Sequence, residues 1–337
     1  MTGWRRSSGG CAAACSSTET RLPLRERLRQ RGPTLDRIPA VPVPTFDARP
    51  RGVVEIPTLL LILATYSGWL AVTYAYRFWP LIVVAPIGAV LVTLQGSLQH
   101  EIVHGHPTRW NAVNRLFALV PLSLWLPYER YRASHLRHHH DERLTDPIDD
   151  PESYYWTAQD WARLPPVGRM IVRIQQTLAG RVTVGVFWAI SRFLHAEWRA
   201  VIDNRKGVRA VWLEHLLWCV PVVAWVKLVC GMPLWVYVLT MAIPGTSITL
   251  IRSFAEHRAR PQVRARIAIV EGSWILGPLY LFNNLHALHH EAPDIPWYEY
   301  PARYRRIRAR LGKWWKCLTF RWTSVRAHSS VGRAADS

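Results

Sequence analysis

The stretch "IPTLLLILATYSGWLAVTYAY" (residues 56 to 76) contains no charged side chain. It reaches the roughly 20 residues that an α-helix needs to cross about 30 Å of hydrocarbon. "WPLIVVAPIGAVLVTLQGSL" (79 to 98) follows at once and is also uncharged. A second pair comes much later. Residues 211 to 229 carry Glu214, His215 and Lys227 only near their ends, where long side chains can snorkel, and residues 234 to 251 carry no charge. The expected fold is an all-α integral membrane protein with four transmembrane helices in two hairpins. Half of the residues being hydrophobic, with 18 Trp among them, fits that class better than a soluble enzyme. Core helices of a large soluble protein are the competing reading, and the charge distribution speaks against it.

The net charge is +19, carried mostly by arginine. The short links within the two pairs, "RF" at 77 and 78 and "CGMP" at 230 to 233, hold one basic residue, Arg77. Lys and Arg near span ends stay cytoplasmic. The N-terminus, the long segment 99 to 210 and everything after 252 are therefore expected on the cytoplasmic face, in an inner or plasma membrane, with the latter two forming a helical cap. Within the cap, 113 to 128 and 167 to 200 mix apolar residues with arginines, as helices in the headgroup region do. Ordinary amphipathic packing reads the same way.

Three regions are distinguished: 1 to 52, a disordered basic arm without an apolar run of signal-peptide length; 53 to 322, the membrane domain; and 323 to 337, a tail. The five cysteines, at 11, 15, 219, 230 and 317, make no disulfide framework and read as reduced thiols. The tail "AHSSVGRAADS" back-translates to a run that includes AGCTCAGTCGGTAGAGC, which resembles the D-arm of a transfer RNA gene. It reads as non-functional read-through, His328 included.

The histidines carry the chemistry. In "HEIVHGH", His100 and His104 are i and i+4 if the second helix continues past the bilayer. "HLRHH" sets His135, His138 and His139 at i, i+3 and i+4, and "HALHH" repeats this with His286, His289 and His290. His257 leaves the fourth span at about the depth where His100 leaves the second. His106 and His140 fall well off these faces at 3.6 residues per turn and stay outside the ligand set. Nine imidazoles exceed what one zinc takes and suit two metals; imidazole by itself does not choose among Fe, Zn, Cu and Ni. Ligating imidazoles usually pass their second N–H to a carboxylate or carbonyl, for which Glu101, Asp141, Glu142, Asp146, Asp149, Asp150, Glu256 and Glu291 are available.

The boxes H-x3-H (100 to 104), H-x2-HH (135 to 139) and H-x2-HH (286 to 290), interleaved with two pairs of spans, resemble the membrane-bound fatty acid desaturase family over roughly residues 53 to 305. The resemblance implies an oxidoreductase with two Fe ions and O2 as co-substrate. The implied ligands are His100, His104, His135, His138, His139, His286, His289 and His290, with His257 matching the family's additional histidine. Asn283 and Asn284, just before the third box, are placed to hold a metal-bound water or to cap a helix. The implied reaction removes two hydrogens from an unactivated acyl methylene pair, leaving a cis double bond in an acyl lipid, acyl-CoA or acyl-carrier substrate. Lipid or carotenoid hydroxylases and ketolases share such boxes and are the alternative. No Gly-rich nucleotide fingerprint or iron–sulfur cysteine set is present, so an external donor is implied: a ferredoxin, a rubredoxin or a cytochrome b5-like protein. The basic stretch 299 to 316 could steer an acidic donor or attach to anionic lipid.

A non-enzymatic metal-binding membrane protein or transporter would place polar ligands within its spans, which these nearly lack. Nucleic-acid binding is disfavoured, since no recognition motif accompanies the charge.

Overall fold

The computed structural model describes residues 54–139, 143–260, 266–311 and 319–321. The N-terminal arm, the tail, His140, Asp141, Glu142, Cys11, Cys15 and Cys317 lie outside the described residues. Helices dominate: α1 (Ile56–Ala75), α2 (Leu81–Val103), α3 (Asn111–Leu119), α4 (Tyr128–His138), α5 (Ala158–Arg163), α6 (Pro166–Gln175), α7 (Leu178–Val182), α8 (Val184–Ile202), α9 (Val208–Ala224), α10 (Leu234–Tyr237), α11 (Ile243–Glu256), α12 (Leu276–Leu279), α13 (His286–Glu291) and α14 (Tyr300–Leu311). One short parallel pair, β1 (Ile269–Glu271) with β2 (Thr319–Arg321), sets Val270 opposite Phe320.

Among the described residues, four helical stretches are long and apolar enough to cross a membrane: Ile56–Ala75, Leu81–Val103, Val208–Val229 and Leu234–Glu256. The last two contain π turns, Trp225–Val229 after α9 and Val238–Ala242 before α11. The second π turn precedes Pro244, whose ring nitrogen cannot donate to the helix ladder. Large apolar side chains on these stretches point outward, among them Leu63 (66% exposed), Ile82 (81%) and Leu228 (81%). Such a surface suits hydrocarbon and not water.

The second and fourth stretches run beyond their sequence-predicted ends at 98 and 251. Each continues through polar residues because those residues find partners. Gln99 donates to the Ala118 carbonyl at 2.8 Å, and Arg252 pairs with Glu256 at 3.2 Å. This extra length carries His100 and Glu256 to the site. The two helices meet closely at Gly245, where an added Cβ would lie 2.7 Å from Val92 Cβ and 2.8 Å from the Ala89 carbonyl oxygen. Small residues permit this approach in membrane helices.

Segment 117 to 124, which ends α3 and leads toward α4, is largely non-helical and leaves carbonyls without helix partners. Side chains from the spans supply the donors. Tyr66 Oη reaches Phe117 O at 2.7 Å, Gln95 Nε2 reaches Val120 O at 3.1 Å, and Tyr237 Oη reaches Leu122 O at 2.6 Å. His215 Nε2 lies 3.0 Å from Leu124 O. Buried backbone acceptors need partners wherever water is excluded, which accounts for these polar side chains within apolar helices. Leu122 itself is fully buried among Trp69, Tyr237 and Met241.

Replacing Gln95 by Leu keeps the volume and removes the donor to Val120. A loss of about 1–3 kcal/mol is expected, read as a lower Tm of the protein in detergent; an unchanged Tm would show that the segment does not depend on this bond.

Candidate metal centre

Four elements bring the histidines together. The end of α2 carries His100, with His104 as its C-terminal cap; α4 carries His135 and His138, with His139 as its cap. His257 follows α11, and α13 carries His286, His289 and His290. The structure sorts them into two groups that could each hold a metal ion, His100/His104/His135/His289 and His138/His257/His286/His290, with ligand nitrogens inside each group within 4.8 Å of one another. His139 stands beside the first group. Its Nε2 lies 3.0 Å from that of His135 and 3.1 Å from that of His289, and its ring stacks on His290 at 4.3 Å. Both H-x2-HH boxes are therefore divided between the groups.

The outer nitrogens fix the tautomers. His135 Nδ1 lies 3.2 Å from Glu152 Oε1, and His138 Nδ1 lies 2.9 Å from Asp150 Oδ1. His286 Nδ1 faces Asn283 Oδ1 at 3.0 Å, and His289 Nδ1 faces the Tyr300 hydroxyl at 3.2 Å. Carboxylate and amide oxygens accept, and the Tyr300 O–H is directed to the Ala292 carbonyl at 3.1 Å, so all four imidazoles donate from Nδ1. His135, His286 and His289 then each present a lone pair at Nε2 toward the centre, and His138 does so once it gives up its second proton.

Those lone pairs meet at short range. His257 Nε2 is 2.8 Å from His138 Nε2 and 2.9 Å from His286 Nε2, and His290 Nε2 is 3.1 Å from His286 Nε2. His104 Nε2 is 3.1 Å from His135 Nε2, while His100 Nε2 is buried with no hydrogen-bond partner among the described residues. A cation at each focus satisfies several lone pairs at once, so the residues present fit a metal. The donor set is all nitrogen, with carboxylates behind it.

Electrostatics agree with that use. Burial, reinforced by neighbouring imidazoles, holds His104, His139, His257, His286 and His289 below the usual imidazole range, hence neutral. Burial lowers His135 too, with Glu152 opposing. His138 differs. Burial alone would lower it, but Glu152 and Asp150 outweigh that and push it up to about 9. Burial would raise Glu152, yet His138 and His135 hold its carboxyl well below the usual range.

Of the carboxylates considered from sequence, Asp150 reaches His138, and Glu256 lies 3.5 Å from His286 Nδ1 while accepting from Asn283 Nδ2 at 2.6 Å. Glu101 faces His106 and Trp297 instead. Asp146 accepts from the backbone of its own turn, Asp149 pairs with Arg143, and Glu291 is exposed. Asn283 stands behind His286, Asn284 donates to the Val270 carbonyl at 2.8 Å, and neither provides a side-chain helix cap. His106 lies apart, bound to Glu55 at 2.5 Å. Sequence reasoning missed Glu152 and Tyr300. Glu152 sits 17 residues beyond His135, where no helical spacing links them; the repeated acids of "DPIDDPES" were the available signal. A cavity of about 30 Å³, close to the volume of one water, opens beside His257 and is lined by Asp150, Glu152, Ser253 and Glu256, with Tyr154 and Tyr155 among its other walls.

Asp150→Asn and Glu152→Gln are each expected to weaken metal binding about 10–100-fold, measured by competition with graded chelator, whereas Asp149→Asn should leave it unchanged. Because a cation displaces the His138 proton, affinity is expected to climb with pH up to about 9. Equal affinities in all three variants would remove Asp150 and Glu152 from the site.

Comparison with known proteins agrees with the geometry. None of the curated proteins matches the chain. The sequence profile of the family described as fatty acid desaturase matches residues 77–321, more than half of the chain and the stretch that holds every histidine of both groups. The chain belongs to the fatty acid desaturase family.

Proposed function

We propose that this protein is an oxygen-dependent acyl-lipid desaturase of an inner or plasma membrane. Nine histidines would hold two iron ions: His100, His104, His135, His139 and His289 about one, and His138, His257, His286 and His290 about the other. The observation that carries this reading is the convergence of imidazole lone pairs in two adjoining groups within a fatty acid desaturase family domain. When bound, the irons supply the activation of O2 needed to remove hydrogen from an unactivated methylene.

The chain's own residues do the rest. Asp150, Glu152, Asn283 and Tyr300 hold imidazole orientation and tautomer from behind. The small cavity beside His257 admits a small molecule such as water or dioxygen. Its carboxylates can take up or release protons where water is scarce. The four spans form two hairpins with the histidines at their cytoplasmic ends, a topology supported by the single basic residue, Arg77, in the two short links. Electrons come from an external donor, a ferredoxin, a rubredoxin or a cytochrome b5-like protein, and the exposed Arg305, Arg306 and Arg308 on α14 suit an acidic one.

Lipid mass spectrometry tests the reading. Membranes from a host expressing the chain with a compatible donor under oxygen are compared with those of the His138→Ala and His289→Ala variants. An acyl product lighter by two hydrogens, lost in both variants, is expected. A product heavier by one oxygen would replace this reading with a hydroxylase.

A further inference from the structure

Several arginines outside the long apolar helices are matched to acids: Arg115 chelates Glu214 and binds Glu129, and Arg130 binds Glu197. Arg181 and Arg192 are held differently. Arg181 on α7 is only 4% exposed, and its Nε donates to the Gln175 carbonyl at 3.0 Å while its guanidinium lies 3.7 Å over the Tyr154 ring. Arg192 on α8 lies 5.0 Å over the Trp156 ring. Among the described residues neither has a carboxylate within ion-pair reach, and burial shifts both guanidinium groups downward with only tyrosines opposing.

Two further donors lie in the same place. Trp156 and Trp188 have ring centroids 6.4 Å apart, and each indole N–H is buried without an acceptor among the described residues. Tyr154 interacts with both arginines and commits its own hydroxyl proton to Ser253 Oγ at 2.7 Å. The cluster thus presents four donors, two of them cationic, and no matching anion lies among the described residues. Buried donors are nearly always paired, and a planar guanidinium is the side chain best suited to phosphate. The open side is at Arg192, which is exposed. On the same helix Phe187 (54% exposed), Trp198 (64%) and Ile202 (60%) present apolar side chains outward. A helix with that face suits headgroup depth, where lipid phosphates are found.

We propose that Arg181, Arg192, Trp156 and Trp188 form a binding site for the phosphate of a membrane phospholipid. The acyl tails run along the apolar residues of α8, and the phosphate enters past Arg192 toward Arg181. The site is separate from the histidines and independent of the reaction they carry out. Tyr154, through Ser253 at the wall of the cavity beside His257, is the contact between the two.

The test uses the full chain purified in a neutral detergent, with thermal unfolding followed against dihexanoyl phosphatidate, inorganic phosphate, or chloride at matched ionic strength. Phosphatidate is expected to raise Tm saturably and to bind at least about tenfold more tightly than inorganic phosphate, since only the lipid also covers the apolar face. Trp188→Phe keeps an aromatic ring, though a smaller one, and removes the donor, and Arg192→Gln removes an exposed charge. Each should weaken phosphatidate binding about tenfold. Wild-type affinity in both variants, or no stabilisation beyond that by chloride, would overturn the site. Inorganic phosphate binding as tightly as phosphatidate would overturn the lipid assignment.

Discussion

The structure depends on the burial of neutral imidazoles whose lone pairs converge. Nitrogens from four separate elements face one another at about hydrogen-bond distance, and the tautomers set from behind leave many of them with no proton to share. Without a cation such a focus is unfavourable, because buried acceptors lose water and gain nothing in return. The surrounding protein must hold them there. It does so with long apolar helices packed at small residues, so that their ends arrive at fixed positions, and with a ring of oxygen acceptors that fixes each ring's rotation.

Much of this could be read in the sequence. Apolar runs of span length located all four long helices, the i, i+3 and i+4 spacings selected eight histidines, and the position of His257 just past the fourth run selected the ninth. The exclusion of His106 on angular grounds agrees with its separate pairing to Glu55. What spacing could not supply was the sorting. His135 and His138 share a helix face yet serve different groups, because His289 comes to one from across the fold and His257 with His286 comes to the other. Glu152 and Tyr300 were invisible for the same reason: their roles arise from tertiary proximity that no local period encodes. Hydropathy also placed the ends of two helices a turn or more early, since a scale that penalises Gln99 or Arg252 takes no account of the carbonyl or carboxylate that meets it.

The polar residues inside the spans illustrate a second level of organisation. Tyr66, Gln95, His215 and Tyr237 are costly in an apolar helix when taken singly. Together they complete the hydrogen bonding of a non-helical segment that packs among the helices, and so they are part of the scaffold behind α4.

The division of each H-x2-HH box between two groups has a thermodynamic corollary. His135 and His138 are separated by less than one turn of a single helix, and His286 and His289 by the same interval. An ion that locks one member of either pair immobilises the backbone carrying the other. Much of the ordering entropy of the second ion is then already spent when the first arrives. If both groups take an ion, as proposed, occupancy of one therefore favours occupancy of the other.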